Sequence, residues 1–422
     1  MTALPQDGPQ LSMQKWEAAI KPWPVLVVAA ATSFNFFLCL LNTRGIHIGN
    51  VQIAACELFL IGTAALLARD AITRQAVLCA GIIGGYILLL KLVNDGLDLK
   101  IARDLLIPFV FYALGSCARS DEEGDLTICL LTALVLAVGL YEFLAVDSFQ
   151  HYLNIADYYV AKGVGDQQHV GFEGTNLVAS GMRPGGLESR TLFPALGAHR
   201  ISSIFLEPVS AANFGLIGCI WFIGRLKARP LLSMAVIGLS LVIIVLADGR
   251  FAVGTAVIIA AVYCVPQIAR RRLIVFLLPV AVLGALFLVY ALSSHAYDGS
   301  TLHGRLVLSA SILLSWGPFQ WFGLEPSPRY TSDTGYAYMF ANFGILPAFI
   351  LWSIFAFQPE KSKAAGRLRV SIAICCALSL GISESMFTIK TAALLWYIYG
   401  VASRKRADEH FESRNFPNPG IS

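Results

Sequence analysis

The sequence predicts an all-α polytopic membrane protein with about twelve transmembrane helices, and three observations carry this prediction. First, 56% of the residues are hydrophobic and only 14% are charged, with a mean hydropathy of +0.67. Second, apolar runs of about twenty residues recur along the chain, which is the length that crosses a bilayer core of roughly 30 Å as a helix. Third, basic residues concentrate in alternate loops between those runs. Residues 1–422 are therefore expected to form one integral membrane domain.

Each apolar run is expected to be a helix, because a bilayer core offers no water to unpaired backbone groups and a helix satisfies them internally. The twelve runs are residues 23–41, 50–68, 76–94, 102–118, 126–146, 205–224, 231–247, 251–267, 273–292, 336–356, 370–383 and 386–401.

The orientation of these helices follows from the loops that carry lysine and arginine. With the N-terminus in the cytoplasm, the basic clusters within 225–229, 270–272, 361–369 and 404–406 all fall on the cytoplasmic side, as the positive-inside rule requires. Both termini are then cytoplasmic. The first run is too long for a cleavable signal peptide, so it is expected to act as a signal anchor. The net charge of +4 reflects this orientation, and no basic stripe with interleaved aromatics points to a nucleic-acid partner.

Two long segments, 147–204 and 293–335, fall outside the membrane in this topology. The first mixes glycines with aromatic residues, which suits either an ordinary polar loop or an outer cavity for a polar ligand such as a sugar. In the second, His303 and Arg305 lead into an apolar stretch, 306–316, that is too short to span a bilayer as a helix. A helix lying on or dipping into the outer interface is expected there.

Glu207 stands where the first long segment meets an apolar run. It directly precedes Pro208, which suits the first turn of a helix, and it follows Arg200 by seven residues. A carboxylate at this position gains from the helix dipole. Glu207 is interpreted either as a helix cap or as a catalytic group, and the two roles are compatible. Asn213 continues the same segment further into the run.

Two other junctions place polar residues at the outer boundary. Asp248, Gly249 and Arg250 form a tight turn between two apolar runs, and Arg250 is placed either to snorkel or to face a cavity. Asp333 is expected to cap the helix that begins at Tyr336. These junctions therefore contribute a second arginine and two further carboxylates to the outer side.

Seven polar residues also lie within the apolar runs or directly between two of them, where a charge is costly and usually faces a cavity or a partner. They are expected either to pair between helices or to line the same outer cavity, and the sequence does not determine the pairs. The seven are Asn35, Glu57, Lys91, Asp104, Glu142, Glu384 and Lys390.

Four segments resemble, in the same order, recurring segments of the polysaccharide polymerase and O-antigen ligase superfamily, the Wzy-type glycosyltransferases of bacterial envelopes. They are RISSIFLEPVSAANF at 200–214, ADGRFAVGTA at 247–256, HGRLVLSASILLSW at 303–316 and SDTGYAYMFANFGILP at 332–347. The resemblance covers about residues 200–350 and the general topology. The SIFLEPVSAANF form is most similar to exopolysaccharide polymerases, including the xanthan type.

The resemblance implies a GT-C-like fold in the bacterial inner membrane, with both long segments in the periplasm. It implies that donor and acceptor are glycans carried on undecaprenyl diphosphate in the membrane lipid, and that the growing chain is transferred to a new repeat unit. It implies no nucleotide sugar, no metal and no other cofactor. A chain-length regulator protein is a further expected partner.

Site roles follow from what this reaction requires. The leaving diphosphate calls for cations with bidentate geometry, and Arg200, Arg250 and Arg305 all lie at the outer boundary, where we expect them to clamp it. The attacking sugar hydroxyl calls for a base. The candidates are Glu207 first, because it shares a segment with Arg200, and then His303 and Asp333. Asn213 and Tyr336 are expected to contact the substrate.

Two other functions remain open from the sequence. A ligase that attaches a glycan to another acceptor would share every segment named above, although a short late outer loop favours the polymerase. A transporter of lipid-linked oligosaccharide would need no base, and its charges are expected near the middle of the membrane rather than at the outer boundary.

Overall fold

The structure is a computed structural model, and it confirms the all-α class. No β-strand occurs in the part of the chain that it describes, where extended pairing is limited to two isolated bridges. The described residues are 21–94, 100–165, 170–172, 175–182, 192–265, 272–293, 301–331, 334–360 and 362–404.

The helices follow the apolar runs of the sequence, separated by short turns and by the two long segments 147–204 and 293–335. In the first part of the chain they are α1 (Pro22–Thr43), α2 (Asn50–Leu67), α3 (Arg74–Val93), α4 (Lys100–Ser116), α5 (Asp121–Leu144), α6 (Val146–Tyr152) and α7 (Ile155–Ala161). In the second part they are α8 (Pro208–Arg225), α9 (Pro230–Leu246), α10 (Arg250–Tyr263), α11 (Arg272–Leu292), α12 (Leu302–Leu314), α13 (Pro318–Trp321), α14 (Gly335–Phe343), α15 (Ile345–Phe357), α16 (Lys363–Ser379) and α17 (Ile389–Ser403).

Several of these helices have the length and apolar composition of membrane spans. Within the described ranges, five qualify, namely α1, α2, α3, α5 and α11, or six if the bent pair of α14 and α15 counts as one span. The two members of that pair meet at 110°. The bend occurs at Gly344, whose φ of +73° suits glycine, and a Cβ there would lie 2.4 Å from the Phe322 carbonyl oxygen. The helices α9, α10 and α12 are apolar but shorter.

One end of the bundle is held by a network of arginines and carboxylates, which we call the basic end. The Arg225 guanidinium donates to Asp121 Oδ2 at 2.7 Å and to Asp125 Oδ2 at 2.9 Å, and Arg404 pairs with the same Asp121. The last turn of α8, the first turn of α5 and the end of α17 therefore meet there. These arginines belong to the clusters that the sequence assigns to the cytoplasm.

The opposite end, which we call the Glu207 end, is where α8 and α17 begin and α5 finishes. Between the two ends, α17 is almost wholly buried and packs closely on α4. A Cβ on Gly115 would lie 2.0 Å from the Tyr397 carbonyl oxygen, and one on Gly400 would lie 2.2 Å from the Tyr112 carbonyl oxygen. Small residues let the two backbones touch, as at many membrane helix interfaces. This rigid pair carries Lys390 to the Glu207 end.

Candidate functional site

The four segments quoted above are linked by contacts at the Glu207 end of the bundle. Three of them reach residues 380–388, the α16–α17 connection. Asn213 Nδ2 donates to Ser385 Oγ at 3.0 Å, and the backbone N–H of Tyr336 donates to the Leu380 carbonyl at 2.8 Å. A Cβ on Gly381 would lie 3.7 Å from the Leu306 side chain, which is van der Waals contact. Segments far apart in the chain thus share one connection.

The remaining segment, 247–256, joins this group through Arg200. The Arg200 guanidinium donates from Nε to the Ala247 carbonyl at 3.1 Å and from Nη1 to the Ser180 carbonyl at 3.0 Å. The N–H of Ile201 donates to the Leu246 carbonyl at 3.2 Å. The head group of Arg200 therefore ties three parts of the backbone together, which is a structural use of a residue that the sequence assigned to the diphosphate.

Glu207 makes an ion pair that the sequence did not reveal. Its Oε2 lies 2.5 Å from Lys390 Nζ and accepts a hydrogen bond from Ser210 Oγ at 2.8 Å. The Lys390 side chain is 10% exposed, whereas that of Glu207 is 31% exposed, although Leu206 and Pro208 on either side are buried. A carboxylate that stays accessible between buried neighbours is placed to meet a ligand at the mouth of the bundle.

The structure corrects the capping interpretation of Glu207. The residue does occupy the position before the first turn of α8, but its side chain makes no capping hydrogen bond. An adjacent ammonium group attracts a carboxylate more strongly than the partial charges of backbone N–H groups do. The side chain therefore turns to Lys390 rather than to its own helix.

The backbone that presents Glu207 is strained. Among the described residues, three non-glycine residues have positive φ angles: Ser203 at 50°, Leu206 at 58° and Asp248 at 51°. Two of them lie just before Glu207, and the third lies in the turn that Arg200 contacts. Such conformations cost on the order of 1–3 kcal/mol each and persist where the surroundings over-determine them. They are typical of sites where side-chain direction matters more than local stability.

Glu142 supplies the surroundings that hold this strained segment. Its carboxylate is fully buried and accepts hydrogen bonds from the Ser202 N–H at 2.9 Å and the Ser203 N–H at 2.6 Å. It also accepts from Ser202 Oγ at 2.8 Å and lies 3.0 Å from His199 Nε2. One side chain of α5 thus satisfies several polar groups of the segment that leads to Glu207.

The other predicted site residues are more dispersed. Arg250 is exposed at the start of α10, and His303 is exposed in the first turn of α12. Arg305 is half-buried on the same helix, which packs mainly on α11 and α14. Tyr336 is buried and its hydroxyl donates to the Ala377 carbonyl at 3.1 Å. Asp333 lies outside the described residues, and α14 begins at Gly335 rather than at Tyr336, with Thr334 in the cap position.

A second group of charges lies where α2 meets α4. Arg103 pairs with Glu57 and with Asp104, whose Oδ1 lies 3.3 Å from Arg103 Nη2. Lys100 Nζ lies 3.2 Å from Asp104 Oδ2. Lys162, at the end of α7, belongs to the same region. Both carboxylates of this group, Glu57 and Asp104, are among the polar residues that the sequence placed within apolar runs. The sequence did not determine their partners.

Lys162 is the functional candidate that sequence reasoning missed altogether. It lies in segment 147–204, where one lysine among glycines and aromatic residues carries no distinguishing pattern. Lys390 was recognised as a charge within a helix, but its pairing with Glu207 spans 183 residues of sequence. A lysine within an apolar run is the sequence signal that pointed to a partner, while only the folded chain identifies that partner.

No family model, no curated protein and no solved structure matches the chain.

Proposed function

We propose that the protein is a glycosyltransferase that polymerises undecaprenyl-diphosphate-linked oligosaccharide repeat units into exopolysaccharide. The observation that carries this proposal is that three of the four segments that resemble the Wzy-type enzymes contact the α16–α17 connection, and Arg200 ties the fourth to them. Lys390, just after this connection, holds the accessible carboxylate of Glu207. In this proposal the reaction takes place at the periplasmic face of the bacterial inner membrane.

The proposal includes a twelve-span, GT-C-like topology with both termini in the cytoplasm. Each of the twelve apolar runs overlaps a helix or, for 336–356, the bent pair of α14 and α15, which is compatible with that count. The arginines of the basic end gather at the side opposite to Glu207, and this supports an orientation with Glu207 facing outwards. The short helices α9, α10 and α12 pack within the bundle rather than standing alone in lipid.

The proposed reaction forms one glycosidic bond and breaks one bond to phosphate. The hydroxyl oxygen at the non-reducing end of the acceptor attacks the anomeric carbon of the donor, and the bond from that carbon to the diphosphate oxygen breaks. The hydroxyl proton leaves towards a base, and the diphosphate departs with the bonding electrons. Because the diphosphate is already a good leaving group, stabilising its charge matters more than protonating it.

In this mechanism Glu207 orients the acceptor hydroxyl by accepting its hydrogen bond. The ammonium of Lys390 at 2.5 Å favours the ionised carboxylate, which accepts hydrogen bonds well but is a weaker base. Asn213 lies between one and two turns further along α8 and donates to Ser385 of the α16–α17 connection. Glu207 is held by Lys390 in the first turn of α17, so neighbouring parts of the chain position both residues. The role of Glu207 is thus orientation first and proton transfer second.

The test is Glu207→Gln in purified protein reconstituted in nanodiscs and supplied with lipid-linked repeat units. We expect turnover to fall about a hundredfold or more, as for loss of a group that acts on the transferred proton. Glu325→Gln is the matched control, because Glu325 is an exposed carboxylate of the other outer segment. Near-normal turnover of Glu207→Gln would move the role to His303 and then to Asp333.

Cells that lack the protein distinguish the rival functions. If the protein is a polymerase, such cells should accumulate single lipid-linked units on the periplasmic leaflet and make no polymer. Accumulation of those units on the cytoplasmic leaflet would identify a transporter. Normal polymer that fails to reach a second acceptor would identify a ligase.

A further inference from the structure

One group of charged residues near Glu207 contains more basic than acidic members. Ion pairs and electrostatic contacts link the four basic residues Lys100, Arg103, Lys162 and Lys390 with the three acidic residues Glu57, Asp104 and Glu207. Each carboxylate already has a basic partner within salt-bridge distance. One cation is therefore left over, and in the described chain that cation is Lys162, which has no carboxylate within ion-pair distance.

The backbone around Lys162 is fixed rather than loose. The Lys162 N–H donates to the Tyr158 carbonyl at 3.0 Å, which closes the last turn of α7. The Tyr158 hydroxyl donates to Asn35 Oδ1 at 2.7 Å and pins α7 to α1. A Cβ on Gly163 would lie 2.9 Å from Asn50 Nδ2, so the next residue touches the start of α2. The ammonium lies 5.7 Å from the centre of the Tyr159 ring.

The charges around Lys162 leave its positive form incompletely compensated. Burial, together with the Lys390 and Lys100 ammonium groups, lowers the pKa of Lys162 to about 8, against the opposing attraction of Glu57 and Glu207. A bound anion would reverse this balance, because it favours the protonated lysine. The surroundings of Lys162 are therefore those of a cation that lacks its counter-ion.

We propose that Lys162, together with Lys390 and Lys100, binds the diphosphate group of the lipid-linked substrate. The proposal rests on the proposed function for the identity of the lipid. Ammonium groups bind phosphate oxygens as point charges. Lys390 and Lys100 share their charge with Glu207 and Asp104, and Lys162 adds the uncompensated charge that attracts an anion. The Lys100 side chain is 36% exposed, so a ligand can reach the three lysines from the side of Lys100.

This assignment differs from the one based on sequence. Arg200 was expected to clamp the diphosphate, but its guanidinium is occupied by the carbonyls of Ser180 and Ala247. A head group that already donates to two backbone oxygens has fewer donors left for phosphate. Lys390 lies beside Glu207, and Lys162 interacts electrostatically with both. These lysines would therefore place the leaving group next to the carboxylate that orients the acceptor.

The test measures binding to purified protein in nanodiscs with three probes: undecaprenyl diphosphate, undecaprenol and inorganic diphosphate. We expect Lys162→Met to weaken undecaprenyl diphosphate binding at least tenfold, and Lys162→Arg to restore most of the affinity. The matched control is Lys227→Met, which removes an exposed lysine near the basic end. Thermal unfolding of each variant checks that it remains folded.

The pH dependence supplies an independent readout. Raising the pH from 7 to 9.5 should weaken binding to the wild type more than binding to Lys162→Met, because only the wild type loses a proton at Lys162 in this range. Comparing the two proteins cancels the ionisation of the ligand itself. The same pH profile in both proteins would overturn the proposal.

The remaining outcomes separate this site from the proposed function. Equal affinity for undecaprenol and undecaprenyl diphosphate would overturn the site, since the lipid tail alone would then account for binding. Tighter binding of inorganic diphosphate than of the lipid would identify a soluble ligand and also overturn it. Binding that depends on Lys162, in a protein that forms no polymer, would sustain the diphosphate site and reject the polymerase.

Discussion

Glu142→Ala tests whether one buried carboxylate holds the strained backbone that presents Glu207. The substitution leaves the N–H groups of Ser202 and Ser203 and the hydroxyl of Ser202 without the acceptor they now share. An unsatisfied buried donor costs about 1–3 kcal/mol, and these costs are not additive within one network. We therefore expect the free energy of unfolding to fall by about 3–5 kcal/mol, the range typical of breaking a buried charged network.

The same substitution should reduce activity beyond the loss of stability. Ser203 and Leu206 hold positive φ angles, and without Glu142 they gain on the order of 1–3 kcal/mol each by relaxing. Relaxation would move Glu207 away from Lys390. Turnover of the folded fraction should then fall, and Glu142→Gln should lie between wild type and Glu142→Ala because it keeps one acceptor oxygen.

The assay is reversible unfolding in mixed micelles, followed by tryptophan fluorescence, with turnover measured on the folded fraction. Tyr141→Phe is the matched control, because Tyr141 is the neighbour of Glu142 on α5 and its hydroxyl makes an exposed hydrogen bond to Ser148. Its loss should lower the free energy of unfolding by less than about 1 kcal/mol. If Glu142→Ala unfolds within about 0.5 kcal/mol of wild type, the range of an ordinary surface substitution, Glu142 does not hold the segment.

Three further predictions concern topology, the arginines and helix packing. A cysteine at Gly165 should react with a membrane-impermeant maleimide from the periplasm, and one at Lys227 only after the cells are opened; the reverse pattern would reject the proposed orientation and the function with it. Arg250→Ala should abolish polymer while the protein stays in the membrane, and Arg250→Lys should restore little, because a point charge lacks the planar fork of the guanidinium; polymer at the wild-type level would exclude the clamp. Gly115→Ala should destabilise the protein by about 1–3 kcal/mol through overpacking against α17, whereas Gly81→Ala, where a Cβ meets nothing within 4 Å, should be neutral or stabilising in the same unfolding assay.

The sequence by itself determined the long apolar helices and the places where several of them begin, but not the short helices α6, α7 and α13. A run of apolar residues becomes a helix in a bilayer through forces that act within the run, so its position can be found without knowing its neighbours. Pro208 begins α8 and Arg250 begins α10, as their local sequences indicate. The apolar stretch after Arg305 is a helix too short to span, and α12 covers it.

Only the tertiary structure decided which charges face each other. Glu207 stands in the position of a helix cap by local sequence, yet it pairs with Lys390 because α17 brings that ammonium within 2.5 Å. Arg200 was expected to bind phosphate, but its guanidinium donates to backbone carbonyls. Lys162 became a candidate for binding the diphosphate only through the charges that the fold brings around it. Charge–charge interactions depend on distance in space and on burial, and neither quantity is encoded in the local pattern from which helices are predicted.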